Sequence, residues 1–177
     1  MTYEQLVQMA QDCGFTAWAP LDLSTIELKS EVRDMCAQNT CGMHGACWSC
    51  PPACGSLEEC TERLKGYSHG ILVQTYGDIE DGFDFEAIME IAADHDDHFQ
   101  EMYAKLREQG VKTLAIGTGA CTVCKKCSYP DAPCRFPEKM VSSMEAYGMV
   151  VLEVCKANGL QYYYGSDKMA YTGCFLL

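Results

Sequence analysis

The segment Gly70-Ile71-Leu72-Val73-Gln74-Thr75-Tyr76 begins the predicted core of the fold. Its β-branched and aromatic side chains favour a strand, which Gly77-Asp78 then closes. The next element, over residues 85–109, is predicted to be a long helix, because apolar side chains recur there at steps of three and four. These side chains are Phe85, Ile88, Met89, Ala92, Phe99, Met102, Tyr103 and Leu106. Asp84 is placed to cap the start of this helix, and Gly110 to follow its end.

A second strand, Thr113-Leu114-Ala115-Ile116, follows the helix. Residues 71–116 therefore predict a β-α-β unit, and so long a helical crossover favours parallel pairing of the two strands. The chain on either side supplies further elements. We expect a helix over 3–13, a strand from Phe15 to Leu23, a helix over most of 139–157, and closing strands at Gln161–Tyr164 and Ala170–Leu177.

Together these elements predict an α/β protein. We expect one domain, residues 1–177, with a β-α-β core sheet. A cysteine-rich loop layer at one end of the sheet would carry the metal sites. The 48% of hydrophobic residues is enough for a substantial core.

Cysteine usage predicts metal binding rather than a disulfide framework. The chain has 13 cysteines, an odd number, and most of them fall in two tight blocks. The start, Met1–Gln5, is polar and acidic, so we expect no signal peptide. These features favour the cytoplasm, where thiols stay reduced and available for metal.

The net charge and the hydropathy of the chain indicate which classes of partner are disfavoured. A net charge of −12 disfavours nucleic acid, because its phosphates would be repelled, and it suits a basic protein partner. No apolar run approaches the roughly 20 residues that a membrane span needs. The pattern gives no oligomeric state.

The second block is the sharper motif: Cys121-Thr122-Val123-Cys124-Lys125-Lys126-Cys127, followed by Cys134. Zinc sites usually take their ligands as two separated pairs. An iron–sulfur cubane offers several iron corners, which thiolates at every third position can reach. The spacing therefore favours a [4Fe–4S] cluster held by Cys121, Cys124, Cys127 and Cys134.

Two features beside this block bear on the same cluster. The small residues Gly117-Thr118-Gly119-Ala120 precede it and would let backbone N–H groups approach the cluster sulfurs. Lys125, Lys126 and Arg135 either offset the negative charge of a thiolate-ligated cluster or form a solvated basic turn, and the sequence favours neither.

The first block holds six cysteines, Cys36, Cys41, Cys47, Cys50, Cys54 and Cys60, more than one site needs. It is predicted to be a loop without periodicity, except for a helix start at Leu57–Leu64 that carries Cys60. We therefore expect Cys60 to be a small buried residue. Cys13, Cys155 and Cys174 lie in apolar stretches and are expected in the core.

At these residues the chain resembles the bacterial and archaeal predicted metal-binding proteins of domain-of-unknown-function family 2284. The first half of that pattern is matched by Cys36, Cys41 and Trp48-Ser49-Cys50-Pro51-Pro52. The second half is matched by Gly119 with Cys121, Cys124 and Cys127, by Cys134-Arg135-Phe136-Pro137, and by Ser143-Met144-Glu145-Ala146-Tyr147-Gly148. The resemblance implies metal binding but names neither the metal nor a reaction.

The resemblance also singles out Cys36, Cys41 and Cys50 as the metal ligands of the first block. Cys47 and Cys54 compete for the fourth place. A tyrosine is typical of the family where this chain has His44, and the fourth ligand is left open.

Another candidate is Asp94-His95-Asp96-Asp97-His98, where two imidazoles at i and i+3 could share a helix face with carboxylates nearby. A solvated acidic helix face is the more common explanation of such a run.

Three functions remain at this point. The first is an iron–sulfur protein with one or two [4Fe–4S] clusters that transfers electrons to a redox partner or serves a redox enzyme as an accessory subunit. The second is a module whose Cys₄ sites bind structural zinc. The third is an enzyme in which three first-block cysteines leave one iron open to substrate.

Overall fold

The computed structural model describes residues 1–177 and has a five-stranded mixed sheet with five α-helices. The helices are α1 (Tyr3–Asp12), α2 (Ser30–Ala37), α3 (Leu57–Leu64), α4 (Phe85–Glu108) and α5 (Val151–Ala157). The strands are β1 (Ala17–Leu21), β2 (Gly70–Asp78), β3 (Leu114–Gly117), β4 (Ser142–Ser143) and β5 (Lys168–Leu176). The α/β class predicted from the sequence is confirmed.

The order of strands in the sheet is β1-β2-β5-β3-β4. The two strands of the β-α-β unit, β2 and β3, run in the same direction, but each pairs with β5 in antiparallel fashion. The expected direct parallel pairing of β2 with β3 is therefore wrong. The C-terminal strand β5 lies between them because it matches β2 over nine residue pairs, from Gly70 with Leu176 to Asp78 with Lys168.

Each face of the sheet carries its own hydrophobic core. Side chains alternate along β2, so Ile71 and Val73 face α1 and α4, whereas Leu72 faces the opposite core. That opposite core contains Cys60 of α3 and Cys155 of α5. The α4 face buries Phe99, Met102 and Leu106, and Phe99 stacks on Phe175 at 4.3 Å between ring centroids.

The long helix has the ends that the sequence predicts. The Asp84 side chain accepts a hydrogen bond from the Ala87 N–H at 3.2 Å, which satisfies one of the unpaired N–H groups of the first turn. Gly110, just past the helix, has a φ of +68°, a conformation that glycine adopts without a steric cost. None of the helices is both long and apolar enough to cross a membrane.

Three local expectations differ from the structure. Only Val151–Ala157 of residues 139–157 is helical, because Gly148 turns the chain with a φ of +91°. A Cβ at Gly148 would lie 2.7 Å from Leu57 Cδ2, so the turn packs tightly against α3. Residues 161–164 form no strand. The first block is not all loop before Leu57, since Cys36 lies in the last turn of α2.

Candidate metal centre

The four cysteines of the second block line one small cavity of about 20 Å³. They lie on the connection between β3 and β4, and all four side chains are half-buried. The other lining residues include Trp48, Val123 and Met140. The lining contains no carboxylate and no imidazole, so the thiols are the groups there that could ligate a metal.

Backbone N–H groups are directed at the sulfur of Cys127. Burial raises the pKa of this thiol, but hydrogen bonds from the backbones of Tyr129, Trp48 and Ser128 and the charge of Arg135 outweigh burial, so the pKa of Cys127 lies below its ordinary value. These contacts stabilise the thiolate, which is the form that binds metal.

Cys121 also receives hydrogen bonds from backbone N–H groups, but its thiol is more strongly affected by burial. Burial raises the pKa of Cys121, and hydrogen bonds from the backbones of Val123 and Val141 oppose the increase without cancelling it. The neighbouring sulfurs of Cys134 and Cys124 raise the pKa of Cys121 further, since like charges would repel. A bound cation would remove that repulsion, so metal and thiolates stabilise each other here.

The amides near these two sulfurs are not those of residues 117–120, which the sequence had suggested. Gly117 is required for packing instead, because a Cβ there would lie 3.1 Å from Val141 Cγ1. Of the three basic residues, Arg135 lines the cavity, and its guanidinium donates to the Lys126 carbonyl at 2.9 Å. Lys125 and Lys126 are exposed.

The first block supplies a wall of the second block's cavity. Ser49 Oγ accepts a hydrogen bond from the Cys121 N–H at 3.0 Å, across 72 residues of chain. Trp48 Nε1 donates to the Ala132 carbonyl at 3.1 Å, and its ring meets Tyr129 edge to face at 4.9 Å. The two blocks were predicted to form separate sites, but in the structure they adjoin.

Within the first block, Cys47 and Cys50 are buried around Ser49. Cys47 Sγ lies 3.3 Å from Ser49 Oγ, and Cys50 Sγ lies 4.0 Å from the same oxygen. Burial raises the pKa of Cys50 to about 12, and the nearby Cys47 thiol adds to the increase. Cys50 is therefore a thiol at neutral pH until a metal displaces its proton.

Cys36 and Cys41 lie nearer to the surface. Cys36 is half-buried and Cys41 is exposed. Burial raises the pKa of Cys36, and the positive charge of Arg33 opposes this increase. The neighbouring sulfurs of Cys41 and Cys54 raise the pKa of Cys36 further. Cys36 therefore lies near Arg33 and near the sulfurs of Cys41 and Cys54, of which Cys54 is buried.

Two arginines that the sequence analysis did not single out hold Cys54. Arg33 donates to Cys54 Sγ at 3.4 Å and also to the carbonyls of Gly55 and Ala146. Arg63 donates to the Cys54 carbonyl at 2.6 Å. No local pattern marks these arginines, because the contacts join α2, α3 and the Ser143–Gly148 motif across long sequence separations.

A comparison with protein-family models matches residues 19–177 to a family described as "Predicted metal-binding protein (DUF2284)". The chain belongs to the DUF2284 family. The resemblance seen in the sequence is thereby confirmed over most of the chain. Searches of curated proteins and of solved structures gave no match.

The donors of this family member suit soft, thiolate-bound metals. None of the 13 cysteines forms a disulfide. No three His, Cys, Asp or Glu side chains in the chain are grouped tightly enough to hold a single metal ion. The four second-block thiols therefore surround a common space without meeting at one point.

The remaining candidates of the sequence analysis lie outside the family's cysteine motifs. Cys13, Cys60, Cys155 and Cys174 are buried with at most 3% of their surface exposed, as expected of core residues. His95 and His98 do share one face of α4, and both contact Thr75 Oγ1, at 3.1 and 3.2 Å.

The three aspartates of this run do not lie with the imidazoles. Asp94 and Asp97 are exposed and Asp96 is half-buried, whereas His95 is fully buried. This run is therefore a solvated acidic face, the more common arrangement, with His95 buried and His98 half-buried behind it.

Proposed function

We propose that Cys121, Cys124, Cys127 and Cys134 ligate a [4Fe–4S] cluster and that the protein transfers single electrons, either directly or as an accessory subunit of a redox enzyme. The observation that carries this proposal is the placement of the four thiols around one cavity, with backbone N–H groups directed at two of the sulfurs. The cluster would supply the one-electron oxidation and reduction.

The surrounding residues would tune such a centre. Hydrogen bonds from the backbones of Trp48, Ser128 and Tyr129 stabilise negative charge on Cys127, and Arg135 adds a positive charge nearby. Donors of this kind favour the more negative, reduced state and therefore raise the reduction potential. Burial of the cavity wall by Trp48 and Met140 limits access of water.

Zinc is the main alternative, and the spacing of the thiols argues against it. A Cys₄ zinc site has Zn–S distances of about 2.3 Å, which bring all four sulfurs together around one ion. Zinc sites usually take their ligands as two separated pairs, whereas Cys121, Cys124 and Cys127 follow one another at every third position. A cubane keeps its four cysteine sulfurs farther apart, because each binds a different iron.

The first block would hold a second metal centre. Cys36, Cys41 and Cys50 are its proposed ligands, and Cys47 or Cys54 would supply the fourth. Arg33 donates to Cys54 Sγ, which stabilises a thiolate there, whereas Cys47 lies next to Cys50 at Ser49, so each candidate has one contact in its favour. Thirteen free thiols suit the reducing cytoplasm, and the net charge of −12 suits a redox partner with a basic surface.

Replacement of Cys124 by Ser tests the ligand set. We expect the variant, purified without oxygen, to lose the iron and sulfide of the second block while it keeps its far-UV circular dichroism. Cys13→Ala is the matched control, because Cys13 is buried in a core that contains no cysteine of either block, and it should keep the full metal content. Unchanged iron and sulfide in Cys124→Ser would show that the ligand assignment is wrong.

A further inference from the structure

A cleft of about 420 Å³ lies between the two cysteine blocks. Cys54 of the first block and Cys134 of the second both line it. Most of its other lining residues are apolar, including Trp48, Leu114 and Met140. Its volume lies within the range of about 300–1,000 Å³ that is typical of small-molecule sites, which are mostly apolar with a few polar groups.

The polar groups of the cleft converge on one positive charge. Arg63 lines the cleft together with the hydroxyl-bearing residues Tyr147 and Ser142. Arg63 is held in place by its hydrogen bond to the Cys54 carbonyl at 2.6 Å and by interaction with the Tyr147 hydroxyl. A guanidinium has five N–H donors, so these contacts leave donors for a ligand.

Arg63 is exposed and forms no ion pair with a carboxylate, although the negative charge of Glu59 acts on it from the same helix. All five ion pairs of the protein are made by lysines. The guanidinium of Arg63, at the edge of an apolar cleft, can therefore bind an external anion. Arginine is also the side chain best shaped to bind a carboxylate through two parallel hydrogen bonds.

The hydroxyl of Tyr147 is a neutral second group at the same place. The Tyr147 side chain is 3% exposed. Burial raises the pKa of Tyr147, and the charge of Arg63 opposes the increase without cancelling it. Tyr147 therefore stays protonated near neutral pH and adds no negative charge beside Arg63.

We propose that this cleft binds a small organic monocarboxylate, with its carboxylate on Arg63 and its apolar body against Trp48 and Met140. One guanidinium balances one negative charge, and the net charge of −12 disfavours ligands with several. Cys134 borders both this cleft and the cavity of the second block, so the ligand would lie beside the proposed cluster. Only that proximity rests on the proposed function. Carboxylate binding itself is independent of the metal.

Titration with 4-fluorobenzoate, followed by ¹⁹F NMR on anaerobically purified protein, tests the site. The neutral isostere 4-fluorobenzamide should bind at least about tenfold more weakly, because it lacks the charge-assisted hydrogen bonds to Arg63. Arg63→Gln should weaken benzoate binding by a similar factor, and Arg63→Lys by less. Arg107→Gln is the matched control, since Arg107 lies over the Tyr103 ring, away from the cleft, and should bind benzoate as the wild type does.

A second variant keeps the test decisive if Arg63 proves necessary for folding. Ala53→Phe should fill the cleft, which Ala53 lines, without removing the charge, and should abolish benzoate binding. Equal affinity for benzoate and benzamide, unchanged binding by Arg63→Gln or Ala53→Phe, or no saturation of the wild type below about 10 mM would each overturn the proposal. Iron and sulfide are measured on the same samples, so the cluster proposal and the carboxylate proposal can fail independently of each other.

Discussion

Acidification is expected to destabilise the protein through His95, a histidine buried inside α4. The imidazole is 1% exposed, its Nδ1 lies 3.1 Å from Thr75 Oγ1, and its Nε2 has no hydrogen-bond partner. Phe15 and Phe99 pack around the ring, at 5.7 and 5.9 Å between centroids. Burial, and to a lesser extent the charge of His98, lowers the pKa of His95 to about 3.

The sign and size of the effect follow from this pKa. The ordinary pKa of histidine is about 6.5, so below that pH the unfolded chain binds a proton that the folded chain refuses. Stability is therefore unaffected above about pH 6.5 and falls by about 1.4 kcal/mol for each further unit, until pH reaches the folded pKa of about 3. At pH 5 the loss due to His95 is about 2 kcal/mol.

Urea unfolding followed by circular dichroism, at about pH 7.5 and about pH 5, measures this difference. His95→Phe keeps the ring volume but cannot titrate, so it should lose about 2 kcal/mol less than the wild type on acidification. His69→Gln replaces an exposed histidine and should behave as the wild type does. Acid loss of metal is common to all three proteins. An equal loss in His95→Phe and wild type would refute the reasoning.

Three further perturbations follow from single contacts. Gly173→Ala should destabilise by about 1–3 kcal/mol in thermal unfolding, since its Cβ would lie 2.5 Å from Phe99. A Gly173→Ala variant as stable as the wild type would contradict this packing. Ser49→Ala removes the acceptor of the Cys121 N–H and should speed metal loss to a chelator; an unchanged rate would exclude that contact as a support. Asp84→Ala removes the α4 cap and should cost about 1 kcal/mol, and no change would deny the cap a role.

Elements with strong local signals were predictable from the sequence. The periodicity of α4, with Asp84 before it and Gly110 after it, specified the helix to within one residue. The strand β2 was equally clear, because its side chains are apolar on both faces. Such elements depend on near neighbours in the chain, so a window of sequence contains the needed information.

Contacts between distant segments were not predictable in this way. The position of β5 between β2 and β3 depends on pairing between distant residues, for example Gly70 with Leu176, more than 100 positions apart. The helix expected over 139–157 failed because Gly148 packs against α3, which no local pattern reveals. Periodicity indicates that a segment forms an element, but not which partner it meets.

The candidate site divides in the same way. The tight spacing of the second block predicted that its four thiols would share one site, and the structure places them around one cavity. The supporting contacts were missed: Ser49 on the Cys121 N–H, and Arg33 on Cys54. These join residues from separate elements, and a serine or arginine alone carries no signal of such a role.

A joint assay of iron, acid-labile sulfide and zinc in the wild-type protein, purified without oxygen, distinguishes an iron–sulfur cluster from a zinc site. We expect about four iron and four sulfide atoms per chain for a cluster in the second block, and up to twice that if the first block also holds one. The brown solution should bleach with dithionite. A colourless protein that contains zinc and no sulfide would show that the second block holds no iron–sulfur cluster.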